Sequence, residues 1–330
     1  MLDKEYKSLT LRLGFAAILM LLLLQVLMTA LGFMQLLLET YLIEKAANMI
    51  YWSLYNLFYM LSFMLPVPFF MLISGKKKSE PICFEVRFPR YFALMVVASI
   101  GAVLAVGQIN SLLFAPFAGE DTSTDMILDM ISSDKGYMVV LIFIMIVIVP
   151  AFCEEFLFRG LVLGNLLPYG KGIAVVGSAL LFAAMHQNFG QFLYTFAAGV
   201  IMGLLYAESR SIWPSTLVHM LNNLLSFMQM ILYARIEDDM TVGRVTLCIN
   251  LAVIGLGIVC LAWLICLSRR KKSKSEQNHG LFGRVDLPTQ PRELSEGVAW
   301  RKFFSPSIIV FLALSLAMAV LNLILEHIAI

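Results

Sequence analysis

Two adjacent carboxylates, Glu154 and Glu155, close an apolar run that begins at Val139 and carries no charge before them. An ionised carboxylate near the bilayer centre costs about 2.5–3.5 kcal/mol on insertion scales, so a pair there needs partners or a task. Three spacings of four organise the polar residues that follow: Glu155 to Arg159, Phe182 to His186 and His219 to Asn223. Residues four apart lie on one face of a helix and can touch. Glu155 and Arg159 can therefore form an internal ion pair that lowers the cost of both charges. Glu154 lies about 100° round the same helix and is left as the freer acid. His219 and Asn223 can point into one space.

An acid and two imidazoles from three separate apolar runs, converging on one point, could hold and activate a water molecule. In one version Glu154, His186 and His219 are ligands of a zinc ion with a fourth position open for water. In the other no metal takes part. Glu154 is then the general base, His186 orients the water, and His219 and Asn223 donate hydrogen bonds to the oxyanion of a tetrahedral intermediate. Both versions describe hydrolysis of an amide inside a membrane. Plainer readings stand beside these. Glu155 and Arg159 read first as a structural ion pair. His186 or His219, taken alone, reads as a satisfied interior histidine. Asn222 reads as polar glue between helices, and Gly199-x-x-x-Gly203 as a close-packing face. Gln187 and Asn188 read as part of a turn. Cys153 adjoins the acid, but a small buried cysteine is commonplace.

The elements that must position these groups follow from composition. Of 330 residues, 60% are hydrophobic and only 14% charged, against roughly 25% charged in a soluble domain. With lipid as solvent, every backbone polar group must be satisfied within the chain. The expected fold is an all-α polytopic transmembrane bundle of eight to nine spans. At about 20 residues each, nine runs can be marked: 13–36, 50–74, 91–115, 137–163, 172–189, 190–207, 212–234, 246–268 and 305–326. The fifth and sixth are short and tightly joined. The first is read as an anchor and not a cleaved signal. Five scattered cysteines with no C-x-x-C pair read as apolar fillers.

Lys and Arg cluster in the 75–90 and 269–304 loops, and acids in the 116–136 loop and at Glu237, Asp238 and Asp239. Nine spans with a cytoplasmic N-terminus put both basic loops inside, as the positive-inside rule requires. The plasma membrane is the expected location. The 269–304 stretch reads as a flexible linker that meets anionic lipid, and nothing in the pattern indicates a nucleic-acid partner. The chain divides into an N-terminal scaffold (1–136), a middle section (137–234) and C-terminal spans with the linker (235–330). The middle section concentrates the intramembrane polar residues.

Taken in order on separate spans, Glu154-Glu155-x-x-x-Arg159, Phe182-x-x-x-His186 and His219-x-x-x-Asn223 resemble the three motifs of the CAAX-protease and bacteriocin-processing (ABI) family of intramembrane proteases. The resemblance covers about residues 137–226. It implies a helical membrane fold, usually of eight spans, and an endopeptidase cutting a membrane-associated peptide or protein. It also implies Glu154 as the catalytic acid, Glu155 and Arg159 as its supporting pair, His186 and His219 as partners of the water or metal, and Asn223 as the oxyanion contact. Zinc and metal-free chemistry both stay open. The signatures H-E-x-x-H, G-x-S-G and G-x-G-D of other intramembrane proteases are missing.

Two other classes compete with the enzyme. A transporter would spread polar residues along a route through the bilayer, whereas here they cluster. A non-catalytic scaffold or immunity protein of the same fold would not need the full motif set. The enzyme reading carries a geometric demand. His186 lies about 20 Å into its span at 1.5 Å per residue, so the three groups meet only if the fourth helix continues past Glu154 towards residue 163.

Overall fold

The computed structural model describes residues 2–75, 82–114, 127–128, 130–132, 136–236, 238–273 and 294–328. The acids of the 116–136 loop, Lys76, Lys77, Lys78, Glu237 and residues 274–293 of the basic linker lie outside the described residues. Among the described residues there is no strand. Helix α1 runs Leu2–Tyr41, α2 Glu44–Met64, α3 Pro66–Ser74 and α4 Phe92–Phe114. Helix α5 is a composite, Gly136–Tyr169. It is followed by α6 Lys171–Met185, α7 Phe189–Ser209, α8 Ile212–Arg235, α9 Asp239–Ser273, α10 Glu296–Phe303 and α11 Pro306–Ile328. Helices α2 and α3 join at Pro66 into one apolar length.

Among the described residues eight lengths are long and apolar enough to cross a membrane, and the chain is an integral multi-pass membrane protein. The sequence gives nine runs, and the difference lies in the fifth. Run 172–189 forms only the 15-residue helix α6, about 22 Å at 1.5 Å per residue. It stops because His186 ends it, Gln187 takes the left-handed conformation (φ 52°) and Asn188 caps the next helix. Lys171 and Glu208 form an ion pair, so both ends of the α6–α7 hairpin lie at one level.

Burial separates the helices. Of its most apolar stretch α7 buries 39% and α9 only 11%, so α7 is central and α9 peripheral. Helix α9 packs chiefly on α4, where a Cβ added at Gly101 would stand 2.8 Å from Gly257 Cα. The G-x-x-x-G face of α7 meets α6 as its spacing suggests. Gly199 lies against Ala179, and Gly203 against Val175 and Leu163. Helix α1 packs on α2 and α11 and joins the main buried cluster through Leu13, Ala17 and Met20.

Helix α5 satisfies the geometric demand by running on to Tyr169. Glu154 precedes Tyr169 by as many residues as His186 follows Lys171, so the short turn at Gly170 brings both to a similar depth. Its backbone is not uniform. Val149–Glu155 is α-helical, but the turns on either side, Ile144–Ile148 and Phe156–Leu163, are π-helical. Such wide turns leave carbonyls that need other donors, and they recur at functional sites. Ser178 of α6 donates to Phe158 O at 2.8 Å, and Asn165 to Leu161 O at 2.8 Å.

Candidate active site

Glu154 and Glu155 are buried side by side but face different partners. Glu155 Oε1 lies 2.8 Å from Arg159 Nη1 and 3.2 Å from His219 Nδ1. All three side chains are buried, with Glu155 and Arg159 at 0% exposure. The ion pair expected from the i, i+4 spacing is present, and the structure adds that the same carboxylate anchors an imidazole of α8. Arg159 is held further by Gly199 O of α7 (3.3 Å from Nη2) and by the face of Phe182, 4.5 Å from its guanidinium carbon. A guanidinium over an aromatic face gains a cation–π attraction. Arg159 thus ties together α5, α6 and α7.

Glu154 is 3% exposed. Its Oε1 accepts a hydrogen bond from the phenol of Tyr59 on α2. Its Oε2 accepts none from the described residues and stands 3.8 Å from His219 Nε2. His219 therefore lies between the two carboxylates, one at each ring nitrogen. A carboxylate only accepts, so the bond to Glu155 fixes the proton on Nδ1.

His186 ends α6, and its Nδ1 donates to Phe182 O at 2.9 Å. A carbonyl also only accepts, so Nε2 is the ring's acceptor when neutral. His186 lies within electrostatic reach of both Glu154 and His219. Phe182 stands edge-on to both imidazoles, with ring centroids at 5.0 Å and 6.0 Å. The spacing of four from Phe182 to His186 thus serves twice. The carbonyl of Phe182 fixes the tautomer of His186, and its ring packs against both imidazoles and the Arg159 guanidinium.

Asn223, expected at the oxyanion, donates through Nδ2 to Ile146 O at 3.1 Å. Ile146 lies in the π-helical turn of α5, and the amide of Asn223 reaches its carbonyl from α8. Its Oδ1 accepts from Asn222 Nδ2 at 3.5 Å, and Asn222 also donates to the Tyr194 hydroxyl at 2.7 Å. Asn222 is thus the interhelical glue expected of it.

Tyr59 is the residue that the sequence reading misses. A signal existed, because Tyr51, Tyr55, Tyr59 and Phe63 repeat every four residues. Tyr55, Tyr59 and Phe63 form a stacked ladder along α2. Periodicity shows such a stripe but not which phenol meets an acid on another helix. Cys153, as expected, is a small buried filler.

Among the described residues no group of three or more His, Cys, Asp and Glu side chains is gathered as a metal site. Both Nδ1 atoms are committed to protein acceptors, which leaves the Nε2 atoms of His186 and His219 as the free ring nitrogens, and Glu154 Oε2 stands 3.8 Å from His219 Nε2.

Comparison with known proteins agrees with the motif segment. No curated protein and no solved structure matches the chain. Residues 136–225 match the family model described as type II CAAX prenyl endopeptidase Rce1-like. That segment spans α5, α6, α7 and the first half of α8, the helices that carry Glu154, Glu155, Arg159, His186, His219 and Asn223. The similarity to the CAAX-protease family rests on these residues 136–225, about a quarter of the chain.

Proposed function

We propose that this chain is an intramembrane endopeptidase that hydrolyses a peptide bond of a membrane-associated peptide or protein with a water activated by Glu154. The observation that carries the reading is the pairing of Glu154 with His219. One carboxylate oxygen is held by Tyr59, and the other faces His219 Nε2 across 3.8 Å. That gap is too long for a direct hydrogen bond, so the acid and the imidazole both face one space, where an attacking water beside Glu154 and an oxyanion beside His219 fit.

The chemistry follows from the donors and acceptors. A water between Glu154 Oε2 and His186 Nε2 can give one proton towards each, which leaves an oxygen lone pair for attack. The water oxygen bonds to the peptide carbonyl carbon as its proton passes to Glu154. The carbonyl π electrons move to the oxygen. His219 in its protonated form keeps Nδ1–H on Glu155 and offers Nε2–H to this oxyanion, and the second amide N–H of Asn223 is a further donor. Collapse breaks the C–N bond, and Glu154 returns the proton to the leaving nitrogen. Glu155 and Arg159 act as positioning residues, because they fix the ring of His219. No step passes through a metal.

The family points to peptides near a lipid-modified C-terminus as one substrate class. The N-terminus and the basic loops on the cytoplasmic side are the orientation that fits the charges, and the 269–304 linker would then meet anionic lipid. The divisions 1–136, 137–234 and 235–330 are retained as scaffold, catalytic section and C-terminal spans.

The test is a comparison of membrane peptides and protein termini from cells carrying the wild type, Glu154→Ala or His219→Ala. At least one cleaved terminus is expected to vanish in both variants. If every cleaved terminus survives both, the enzyme reading falls and the non-catalytic scaffold takes its place.

A further inference from the structure

The turn that carries His186 is gripped from outside the motif segment. Gln187 is 7% exposed and sits in the left-handed region at φ 52°, a conformation disfavoured for a non-glycine residue. Three amide side chains from three flanking helices donate to this turn and to the start of α7. Gln25 of α1 gives Nε2–H to Gln187 Oε1 at 2.9 Å. Asn322 of α11 gives Nδ2–H to Gln187 O at 3.2 Å. Asn110 of α4, 6% exposed, gives Nδ2–H to Gly190 O. Within the turn, Asn188 Oδ1 accepts from Gln191 N at 3.2 Å and caps α7. Gln25, Asn110 and Asn322 all lie outside residues 136–225.

We infer that Gln25, Asn110 and Asn322 are positioning residues, an amide clamp that holds the His186–Gln187–Asn188 turn and so sets where the imidazole of His186 stands. The physical reason is the weakness of the turn. Helix α6 ends at His186 only because Gln187 reverses the backbone. Without the clamp, α6 could extend by a turn or α7 begin earlier, and either change swings the Cα of His186. The plainer alternative is that the amides merely satisfy carbonyls that lipid cannot. That alternative predicts lost stability. The clamp predicts a lost rate at unchanged substrate affinity, since about 1 Å of misplacement costs on the order of 100-fold in rate.

The inference rests on the proteolytic reading, and its test has one arm that does not. The purified full chain, in detergent micelles and in phosphatidylcholine vesicles, is given the peptide whose cleavage depends on Glu154. Asn322→Leu and Gln25→Leu are each expected to lower kcat by about 10-fold with KM changed less than about twofold. Asn322→Gln, which keeps an amide donor, should recover most of the rate. The double variant should lose less than the product of the two, because both donors act on one turn. In the second arm the rate of diethyl pyrocarbonate modification is read by mass spectrometry. It should rise at His186 in the leucine variants and stay constant at His219. The clamp is overturned if kcat is unchanged while Glu154→Ala is inactive. It is also overturned if the rate falls only in step with the thermal midpoint without recovery in Asn322→Gln. If Glu154→Ala cleaves as well as the wild type, the proteolytic reading fails and the reactivity of His186 alone decides: a rise supports the clamp and constancy overturns it.

Discussion

Helices α5 to α8 and the helices around them handle polar groups in opposite ways. In the middle section the polar side chains pair with one another: Glu155 with Arg159 and His219, and Asn222 with Tyr194 and Asn223. In the flanking helices they are sparse, and several reach inward. Tyr59 goes to Glu154, Gln25 and Asn322 to Gln187, and Asn110 to Gly190. The remaining flanking surface is apolar, as along α9, where Leu256, Ile258, Val259 and Trp263 are exposed. The outer helices are therefore more than packing. Four of their polar groups complete the middle section, while others tie the flanking helices to one another, as Thr10 does to Lys302 O and Ser307 to Leu11 O, because lipid offers such a group no partner.

The contrast can be broken in five places, taken from the largest expected effect to the smallest. Glu154→Gln keeps the shape and removes the base. Cleavage should fall by about 10³- to 10⁴-fold, the upper part of what a positioned general base supplies, with the thermal midpoint in detergent no lower than in the wild type. A rate within tenfold of wild type would make Glu154 a structural acid.

Arg159→Met leaves Glu155 buried without its cation. Loss of one partner of a buried pair costs about 3–5 kcal/mol, whereas replacing both with apolar residues is often neutral. Thermal unfolding should therefore drop sharply in Arg159→Met and recover in Glu155→Leu/Arg159→Met. The double variant should stay inactive, because His219 loses its anchor. A double variant that cleaves normally would remove the pair from the mechanism.

Tyr59→Phe probes the flank. Deleting a hydroxyl bonded to a carboxylate costs about 1.5–3 kcal/mol, and here it also frees the acid to rotate. A roughly tenfold fall in kcat, by the worth of such a bond, is expected at a nearly constant KM. An unchanged kcat would confine the site to α5–α8. For metal dependence, incubation with 1,10-phenanthroline should leave cleavage within twofold of the untreated protein. Loss that returns with added zinc would mean that Glu154, His186 and His219 close into a ligand set. Cys153→Ala should be the mildest change, within threefold in rate, and inactivity would bring the thiol into the chemistry.

Much of the site was legible in the residues. Spacings of four correctly paired Glu155 with Arg159, because an α-helical turn fixes what can meet within one element. Adjacency put Glu154 and Glu155 on different faces for the same reason. The Gly199 to Gly203 spacing named a packing face, and Gln187 with Asn188 named a turn. The count of spans was less secure. Hydropathy measures how apolar a run is, and run 172–189 is apolar although its last residues form the turn that ends α6.

Sequence by itself determined the solvent, the helical class and the candidate residues for the proposed reaction, since composition and period act locally along the chain. Tertiary structure decided which carboxylate meets which imidazole. It put Tyr59 on Glu154 from a helix far away in the chain and gave Asn223 the carbonyl of Ile146. It also placed Gln25, Asn110 and Asn322 around one turn. These contacts join distant helices, and no local period encodes them. They form only when packing in a medium without water brings each polar group to its nearest partner.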